Sequence, residues 1–311
     1  MFDDVQRITL PLPTGPKHVH CYVADGTLFD TGLGLGEVEW PPVERIAITH
    51  MHPDHAGGAA AAARATGARV YQGGLDYAQC ERVWGSPDWP ERIAEWFLAN
   101  GVPPAVAQQL IEQGHTFAPF IRFQHDPALL YEGSDLDGWQ VVELPGHADG
   151  HLGFLRDGVL IAGDHLLGKI TPAIGLYPES RSDPLGDYLG SLERTIELAP
   201  RVAYPGHGDP IEEPVARARE LIAHHRRRLD DTEAVLGGEP RSGYDVSLAL
   251  FGEELGPAQR RFAVAETLSH LERLVREGRA ARTGDAVSVS YTGVQLDDDL
   301  PPSTSPQGVG A

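Results

Sequence analysis

The chain has 311 residues, of which 41% are hydrophobic, so it is long enough for one large domain and a smaller one. No run approaches the ~20 consecutive apolar residues that cross a bilayer, and the start of the sequence lacks the pattern of a secretory leader, so we expect a cytoplasmic protein that does not insert into a membrane. The net charge of −20 argues against a general nucleic-acid binder, since such affinity comes from Lys and Arg that neutralise phosphates.

Apolar runs separated by glycine-rich turns predict short strands in the first part of the chain. Such runs occupy residues 8–13, 18–24, 27–32 and 44–50. The alanine-rich stretch after them predicts a helix that ends near Gly67, with another strand directly behind it. These elements together predict an α/β unit.

Residues 75–125 differ in character, because segments with helical spacing are bounded there by Pro or Gly. They predict a helical insertion between parts of a sheet. Strand patterns resume over residues 139–165, and a predicted helix at 184–198 precedes a last strand pattern at 201–207. Alternation of this kind predicts an α/β (α+β) fold in which helices cover sheets.

The C-terminal part predicts a second, smaller domain. Residues 213–236 form a predicted connecting helix, and residues 240–294 contain predicted helices followed by a two-stranded hairpin. Helices followed by such a hairpin are typical of a winged-helix-like domain. The polar, proline-bearing segment 295–311 is predicted to be a disordered tail.

One short segment has the composition of a metal site. Three imidazoles and a carboxylate directly follow an apolar strand, at His50, His52, Asp54 and His55. The chain has only two cysteines, so His and carboxylate must hold any metal, and these ligands suit zinc and related divalent ions. Four ligands are too few for two ions, so further ligands are expected at later strand ends.

Three later strand patterns each end in a glycine followed by a candidate ligand, namely His147, Asp164 and His207. In this order, and with the HxHxDH segment before them, the seven positions resemble the motifs of the metallo-β-lactamase superfamily. The resemblance covers most of residues 1–235 and implies a four-layer αβ/βα sandwich. Residues 1–235 are therefore expected to form a metallo-β-lactamase-like catalytic domain that includes the helical insertion.

The resemblance also implies a dinuclear site with a bridging hydroxide. Its metal ligands would be His50, His52 and His147 for one ion, and Asp54, His55 and His207 for the other. Asp164 would bridge the two ions, Asp30 would brace the ligand loop by accepting an imidazole N–H, and Asp54 would act in catalysis by orienting the hydroxide. Two zinc ions per chain are expected, although iron or manganese suit the same ligands.

Four other histidines lie near motifs without occupying a ligand position: His151, His165, His224 and His225. His151 is interpreted as a strand residue. The basic run 224–228 is followed closely by acidic residues, which favours a solvated or interdomain helix face over a nucleic-acid patch. The balanced charge of residues 240–294 also argues against DNA binding.

Aromatic residues cluster in the insertion at Trp84, Trp89, Trp96 and Phe97. Aromatic side chains at helical spacing are usually core residues, and the alternative hypothesis is that some of them line an acyl pocket. The segment after Asp164 offers further candidate substrate contacts on position alone: Lys169, Thr171, Tyr177 and Arg181.

The fold does not determine the substrate. The C-terminal extension resembles that of a subgroup containing β-lactamase-like protein 2 and polyketide thioesterases, in which thioester hydrolysis and RNA cleavage both occur. The negative charge and the aromatic insertion favour a small-molecule acyl substrate, so a thioesterase-like metal-dependent hydrolase is predicted. The alternatives are a lactonase and a phosphodiesterase or ribonuclease. A non-enzymatic role would be favoured by missing ligands, but all seven are present, and no feature indicates an oligomeric state.

Overall fold

The structure is a computed structural model, which describes residues 5–13, 16–117, 121–285 and 287–294. The predicted tail, residues 295–311, lies outside the described residues. Among the residues that are described, no helix is both long enough and apolar enough to span a membrane.

The first of two central sheets has six strands. They are β1 (Gln6–Pro11), β2 (His18–Ala24), β3 (Thr27–Phe29), β4 (Arg45–Ala47), β5 (Arg69–Gly73) and β6 (Ala128–Leu130), in this spatial order. Strands β1 to β3 pair antiparallel, and β3 to β6 pair parallel. The strands predicted at 27–32 and 44–50 end earlier than expected, because Asp30 and His50 belong to the loops at the sheet edge.

The second sheet has five strands. They are β7 (Asp135–Leu136), β8 (Trp139–Glu143), β9 (Leu152–Arg156), β10 (Val159–Gly163) and β11 (Val202–Pro205). Their spatial order is β11-β10-β9-β8-β7, with β10 and β11 parallel and the other pairs antiparallel. The helix between β10 and β11 therefore serves as the crossover that a parallel pair requires.

Helices cover the outer faces of both sheets. They are α1 (Pro53–Ala56), α2 (Ala59–Thr66), α3 (Gly74–Val83), α4 (Trp89–Ala99), α5 (Pro104–Phe117), α6 (Pro184–Leu198), α7 (Pro214–Leu236), α8 (Gly243–Phe251) and α9 (Pro257–Arg276). Helices α3 to α5 are the predicted insertion, and α6 has the predicted bounds. Helix α6 begins where the Asp183 side chain accepts a hydrogen bond from the Gly186 N–H, which is an N-cap.

Three hydrophobic clusters show how the layers pack. Between the sheets, Phe29 meets Trp139 and Phe154 with ring centroids 5.0 and 5.1 Å apart. Alanines of α2 pack on the outer face of the first sheet, and α6 and α7 contribute buried leucines, such as Leu192 and Leu221, to the cluster outside the second sheet. This arrangement confirms the predicted four-layer αβ/βα sandwich.

The C-terminal residues pack on the same core. After α8 and α9, strands β12 (Ala280–Gly284) and β13 (Val289–Gly293) form an antiparallel hairpin, as predicted. Leu229 of α7 and Leu268 of α9 belong to one hydrophobic cluster with residues of the second sheet. The division into domains near residues 235–240 and the winged-helix character of the second domain stay predictions.

Candidate metal centre

Three imidazoles converge where the loop after β4 meets the loop after β8. The Nδ1 atom of His52 lies 3.0 Å from His50 Nε2 and 2.9 Å from His147 Nε2. Nitrogens bound to one tetrahedral zinc are roughly 3.3 Å apart, because Zn–N bonds are ~2.0–2.1 Å long. These three rings therefore have the spacing of ligands around one ion.

A second group of candidate ligands lies beside the first. Asp54 and His55 are carried by α1, and His207 follows β11. The Asp54 Oδ2 atom is 3.3 Å from His207 Nε2 and 3.8 Å from His55 Nε2. In each group the candidate ligand atoms all lie within 4.8 Å of one another, so each group could hold one metal ion.

The carboxylate of Asp164, directly after β10, lies between the two groups. Its Oδ2 atom is 3.6 Å from His147 Nε2 and 3.4 Å from His207 Nε2. Its Oδ1 atom is 3.5 Å from His55 Nε2. One carboxylate therefore faces both groups, as the sequence motifs predict.

Two buried atoms at this centre lack a hydrogen bond. Neither His55 Nε2 nor Asp164 Oδ1 has a hydrogen-bond partner among the described residues. A buried polar atom without a partner is costly, and a cation placed between a ring nitrogen and a carboxylate oxygen would satisfy both atoms. The donor set of imidazole and carboxylate also fits zinc and related divalent ions, so the residues fit the metal centre that their motifs imply.

The electrostatics differ between the two groups. Burial lowers the pKa of His50 well below its ordinary value and that of His52 to about 3, so both rings are neutral and offer a lone pair at neutral pH. Burial opposes ionisation of Asp54, but the neighbouring His55 and His207 outweigh it and hold the Asp54 pKa at about 2. Burial likewise disfavours the charged form of His207, yet its contacts with Asp164 and Asp54 raise its pKa to about 10.

These pKa shifts indicate which charge the candidate metal centre favours. The raised pKa of His207 and the lowered pKa of Asp54 both indicate that positive charge is favoured beside these carboxylates. A divalent cation supplies the same positive charge, which is why metal binding at such sites displaces protons.

The ring nitrogens that face away from the centre have their own acceptors. These are Asp30 Oδ2 for His55 (2.8 Å), the Ala173 carbonyl for His147 (2.9 Å) and the His18 carbonyl for His207 (2.7 Å). Each ring therefore donates its Nδ1–H outwards and directs its Nε2 atom towards the centre. Such hydrogen bonds orient metal-binding histidines and raise their basicity.

Asp30, the residue expected to brace the ligand loop, makes three hydrogen bonds there. Besides His55, it accepts from the Thr49 backbone N–H and from Thr49 Oγ1, each at 2.8 Å. Thr49 directly precedes His50, so one buried carboxylate ties both ends of the HxHxDH segment.

Close backbone packing explains the glycines that precede two of the candidate ligands. A Cβ atom at Gly206 would lie 2.4 Å from His55 Cε1 and 2.5 Å from Asp164 Oδ1. Gly163 has a φ of +48°, and a Cβ atom there would lie 2.7 Å from Thr49 Oγ1. Any larger residue would displace the side chains at the centre.

The structure corrects the interpretation of His151. It lies directly before β9 rather than within a strand, is fully buried, and stacks on the His50 ring with centroids 4.8 Å apart. Its Nε2 atom accepts a hydrogen bond from the Asp164 backbone N–H at 3.2 Å. His151 therefore supports two candidate ligands, a role that the sequence shows only through its position beside the His147 motif.

The other histidines lie outside the centre. His165 contacts Thr195 Oγ1 at 2.7 Å, and His225 lies 3.3 Å from His270 of α9, where both rings are buried. His225 therefore faces α9, and the interdomain character of this helix face stays a prediction.

The aromatic side chains of the insertion do not share one role. Trp89 and Phe97 are buried in the hydrophobic core, and Trp96 packs against it. Trp84 donates its Nε1–H to the Met51 carbonyl at 3.0 Å, within the ligand loop. Trp89 and Phe97 are thus packing residues.

Two cations among the candidate substrate contacts have acidic partners. Lys169 lies 3.6 Å from Asp209, and Arg181 lies 3.0 Å from Asp187. Tyr177 lies beneath the Arg261 guanidinium, 5.6 Å from the ring centroid.

The family follows from the sequence match. Residues 14–207 match the profile of the Metallo-beta-lactamase superfamily, and residues 229–291 match that of the Metallo-beta-lactamase-like, C-terminal domain. The chain belongs to the metallo-β-lactamase superfamily and is a hydrolase of that superfamily.

Two relatives match most of this chain, and a third matches a shorter part of it. The "Probable metallo-hydrolase YqjP" of Bacillus subtilis is 28% identical over 88% of this chain and 93% of its own length. The "Beta-lactamase-like protein 2 homolog" of Drosophila melanogaster is 26% identical over 86% and 78%. The "Atrochrysone carboxyl ACP thioesterase" of Claviceps purpurea is 24% identical over 40% of each chain.

A solved structure agrees over nearly the whole length. The metallo-beta-lactamase family protein TTHA1429 of Thermus thermophilus superposes with a TM-score of 0.79 at 34% identity, covering 94% of this chain and 99% of its own. The predicted superfamily and subgroup are confirmed.

Proposed function

We propose that the chain is a dinuclear metal-dependent hydrolase that acts on a thioester or a related small acyl compound. The observation that carries this proposal is the buried Asp164 carboxylate, which faces both groups of ligand atoms and, among the described residues, leaves one oxygen without a hydrogen bond. A single ion would use only one group. Two ions give every member of both groups a partner.

His50, His52 and His147 would hold one ion, Asp54, His55 and His207 the other, and Asp164 both. Zinc is the proposed metal, and iron or manganese suit the same ligands. When bound, two such ions lower the pKa of water and polarise the oxygen of the group under attack.

Asp54 is the proposed catalytic residue. Its side chain is 26% exposed, whereas that of Asp164 is 9% exposed, so Asp54 is the carboxylate nearer to solvent. From this position it can accept a hydrogen bond from the attacking water and orient it towards the carbonyl carbon. Its low pKa keeps it ionised and ready to accept.

The reaction adds water across the acyl C–S bond. A C–O bond forms, the C–S bond breaks, and one proton passes to the sulfur, which yields a carboxylic acid and a thiol. The chain holds water and carbonyl together, so that the step proceeds without a serine or cysteine nucleophile. Cys21 and Cys80 are buried, and burial raises the pKa of both thiols.

Two observations favour an acyl substrate over a phosphodiester. The net charge is −20, and Lys169 and Arg181, which follow Asp164, are engaged by acidic side chains. These acidic neighbours partly offset the positive charge of both cations, which makes this face less favourable for a phosphate chain. The relative from Claviceps purpurea that is named a thioesterase supports the same substrate class.

The test compares three substrates before and after chelation: a medium-chain acyl-CoA, an acyl lactone and a bis(aryl) phosphodiester. We expect thioester cleavage that chelation abolishes and zinc restores, and a loss of roughly a hundredfold or more in Asp54→Asn, since positioned acid–base groups contribute ~10²–10⁴-fold. Cleavage of the phosphodiester or lactone alone would contradict the substrate assignment. Thioester cleavage that survives complete metal removal would contradict the metal-dependent mechanism.

A further inference from the structure

Helix α3 lies beneath the ligand loop and contacts it through buried polar groups. Asp76, in the first turn of α3, is fully buried and its Oδ1 atom accepts a hydrogen bond from the Met51 backbone N–H at 2.9 Å. Met51 is the residue between His50 and His52. The peptide group that links His50 to Met51 is therefore tied to α3.

The next peptide group is tied to the same helix. Trp84 directly follows α3 and donates its Nε1–H to the Met51 carbonyl at 3.0 Å. Both peptide groups between His50 and His52 thus have a side-chain partner from α3 or its end. Because the rings of His50 and His52 must point to one ion, holding these two peptides restrains the relative positions of the two backbone atoms from which the rings project.

Asp76 is itself held in place. Its Oδ2 atom accepts from the Gln72 Nε2 atom at 2.6 Å, and Gln72 also contacts Cys80 Sγ. A buried carboxyl group with a hydrogen bond at each oxygen cannot rotate freely. Through Asp76, the Met51 N–H is therefore held in place by β5, which carries Gln72, as well as by α3.

The loop that carries His147 rests on the same helix end. A Cβ atom at Gly150 would lie 2.3 Å from the Asp76 backbone nitrogen, so the two backbones are in direct contact. Asp149 accepts a hydrogen bond from Gln79 Nε2 at 2.7 Å and from the Arg181 backbone N–H at 2.7 Å. All three members of the first ligand group therefore sit on loops that α3 supports.

We propose that α3 is a positioning platform for the ligand group His50, His52 and His147, and that Asp76 and Trp84 are its positioning residues. This inference rests on the proposed metal-dependent function. The outward hydrogen bonds of the second group go to residues outside α3, namely Asp30, which also holds Thr49, and the His18 carbonyl. Loss of an α3 contact should therefore weaken one metal site and spare the other.

The experiment measures Zn²⁺ affinity at both sites by competition with a chromophoric chelator, together with the melting temperature of the metal-free full chain. We expect two ions on the wild-type chain. In Asp76→Ala we expect the affinity of one site to fall about ten- to a hundredfold, which is the usual effect of losing a group that orients a ligand. The other site should stay within about threefold.

Two variants separate the hydrogen bond from charge. Asp76→Asn removes the ionisable carboxyl group but keeps an oxygen that accepts from Met51, while its amide can donate to Gln72 after that side chain flips. We expect it to recover most of the affinity. If Asp76→Asn lowers the zinc affinity as much as Asp76→Ala does, the hydrogen-bond role of Asp76 is overturned.

Trp84→Phe keeps a large ring and removes the N–H. It should weaken the same zinc site by a smaller factor, and it tests the inference independently if Asp76→Ala does not fold.

Val83→Ala is the matched control, because Val83 is buried on the same helix and its side chain is purely apolar. It should lower the melting temperature and leave both zinc affinities unchanged. A Val83→Ala chain that loses the same site would show that any destabilisation of α3 has this effect, which overturns the assignment to Asp76 and Trp84. Unchanged zinc affinities in Asp76→Ala and Trp84→Phe would overturn the inference alone, whereas a wild-type chain that binds no zinc would contradict the proposed function beneath it.

Discussion

Several candidate ligands at the centre depend on a neighbour that the chain supplies elsewhere. His55 donates to Asp30, and the Asp164 backbone N–H donates to His151. The ligands themselves are recognisable from short motifs, because imidazole and carboxylate at strand ends have a distinct composition. His151 and Asp76 cannot be recognised from a short motif, because their roles follow from contacts with other segments of the chain.

A substitution at Gly206 tests how closely the backbone approaches the centre. In Gly206→Ala the new Cβ would lie within 2.5 Å of His55 and Asp164 atoms, so those side chains must move apart. Small shifts of catalytic groups cost about a hundredfold in rate, so we expect at least that loss of hydrolase activity. Steady-state kinetics measure the effect.

The control for Gly206→Ala is Gly190→Ala in α6, where a Cβ atom would have nothing within 4 Å among the described residues. That variant should keep full activity. Activity of Gly206→Ala equal to the wild type would show that the close approach is not part of the working site.

At the scale of elements, patterns that are local in sequence were predicted well. Helix α6 and strand β2 have the predicted bounds, because apolar spacing and a proline or glycine mark both ends. The predicted strands are longer than β3 and β4, since the residues that follow both strands stay buried while the backbone turns into the ligand loops. Strand order depends on pairing between distant segments, so the sequence patterns do not predict it, and the family resemblance implies only the four layers.

A buried leucine tests the packing of the C-terminal helices on the core. Leu268 of α9 is fully buried and lies against Gly243 at the start of α8, where an added Cβ would be 2.4 Å from Leu268 Cδ2. Leu268→Ala should lower the free energy of unfolding by ~2–5 kcal/mol, the usual range for a buried leucine. Chemical denaturation of the metal-free chain measures it.

The exposed Leu98 of α4 is a suitable control for this measurement, since Leu98→Ala should change the free energy of unfolding by less than ~0.5 kcal/mol. A loss in Leu268→Ala no larger than that of the control would contradict continuous packing between α9 and the core.

For the whole molecule, the structure places the candidate metal centre at the edge shared by two sheets and packs the C-terminal helices behind the second sheet. The loop that carries the Ala173 carbonyl, the acceptor for His147, is bonded to α9, because the Leu176 N–H donates to the Ala265 carbonyl at 3.0 Å. The C-terminal residues therefore stabilise a loop beside the centre.

The most direct test is the number of metal ions bound per chain, measured by elemental analysis on wild-type protein and on Asp164→Ala. We expect two ions on the wild type and at most one on the variant, because Asp164 faces both ligand groups. A wild-type chain with no bound metal after incubation with zinc, or an Asp164→Ala chain that keeps two ions and full activity, would contradict the dinuclear centre.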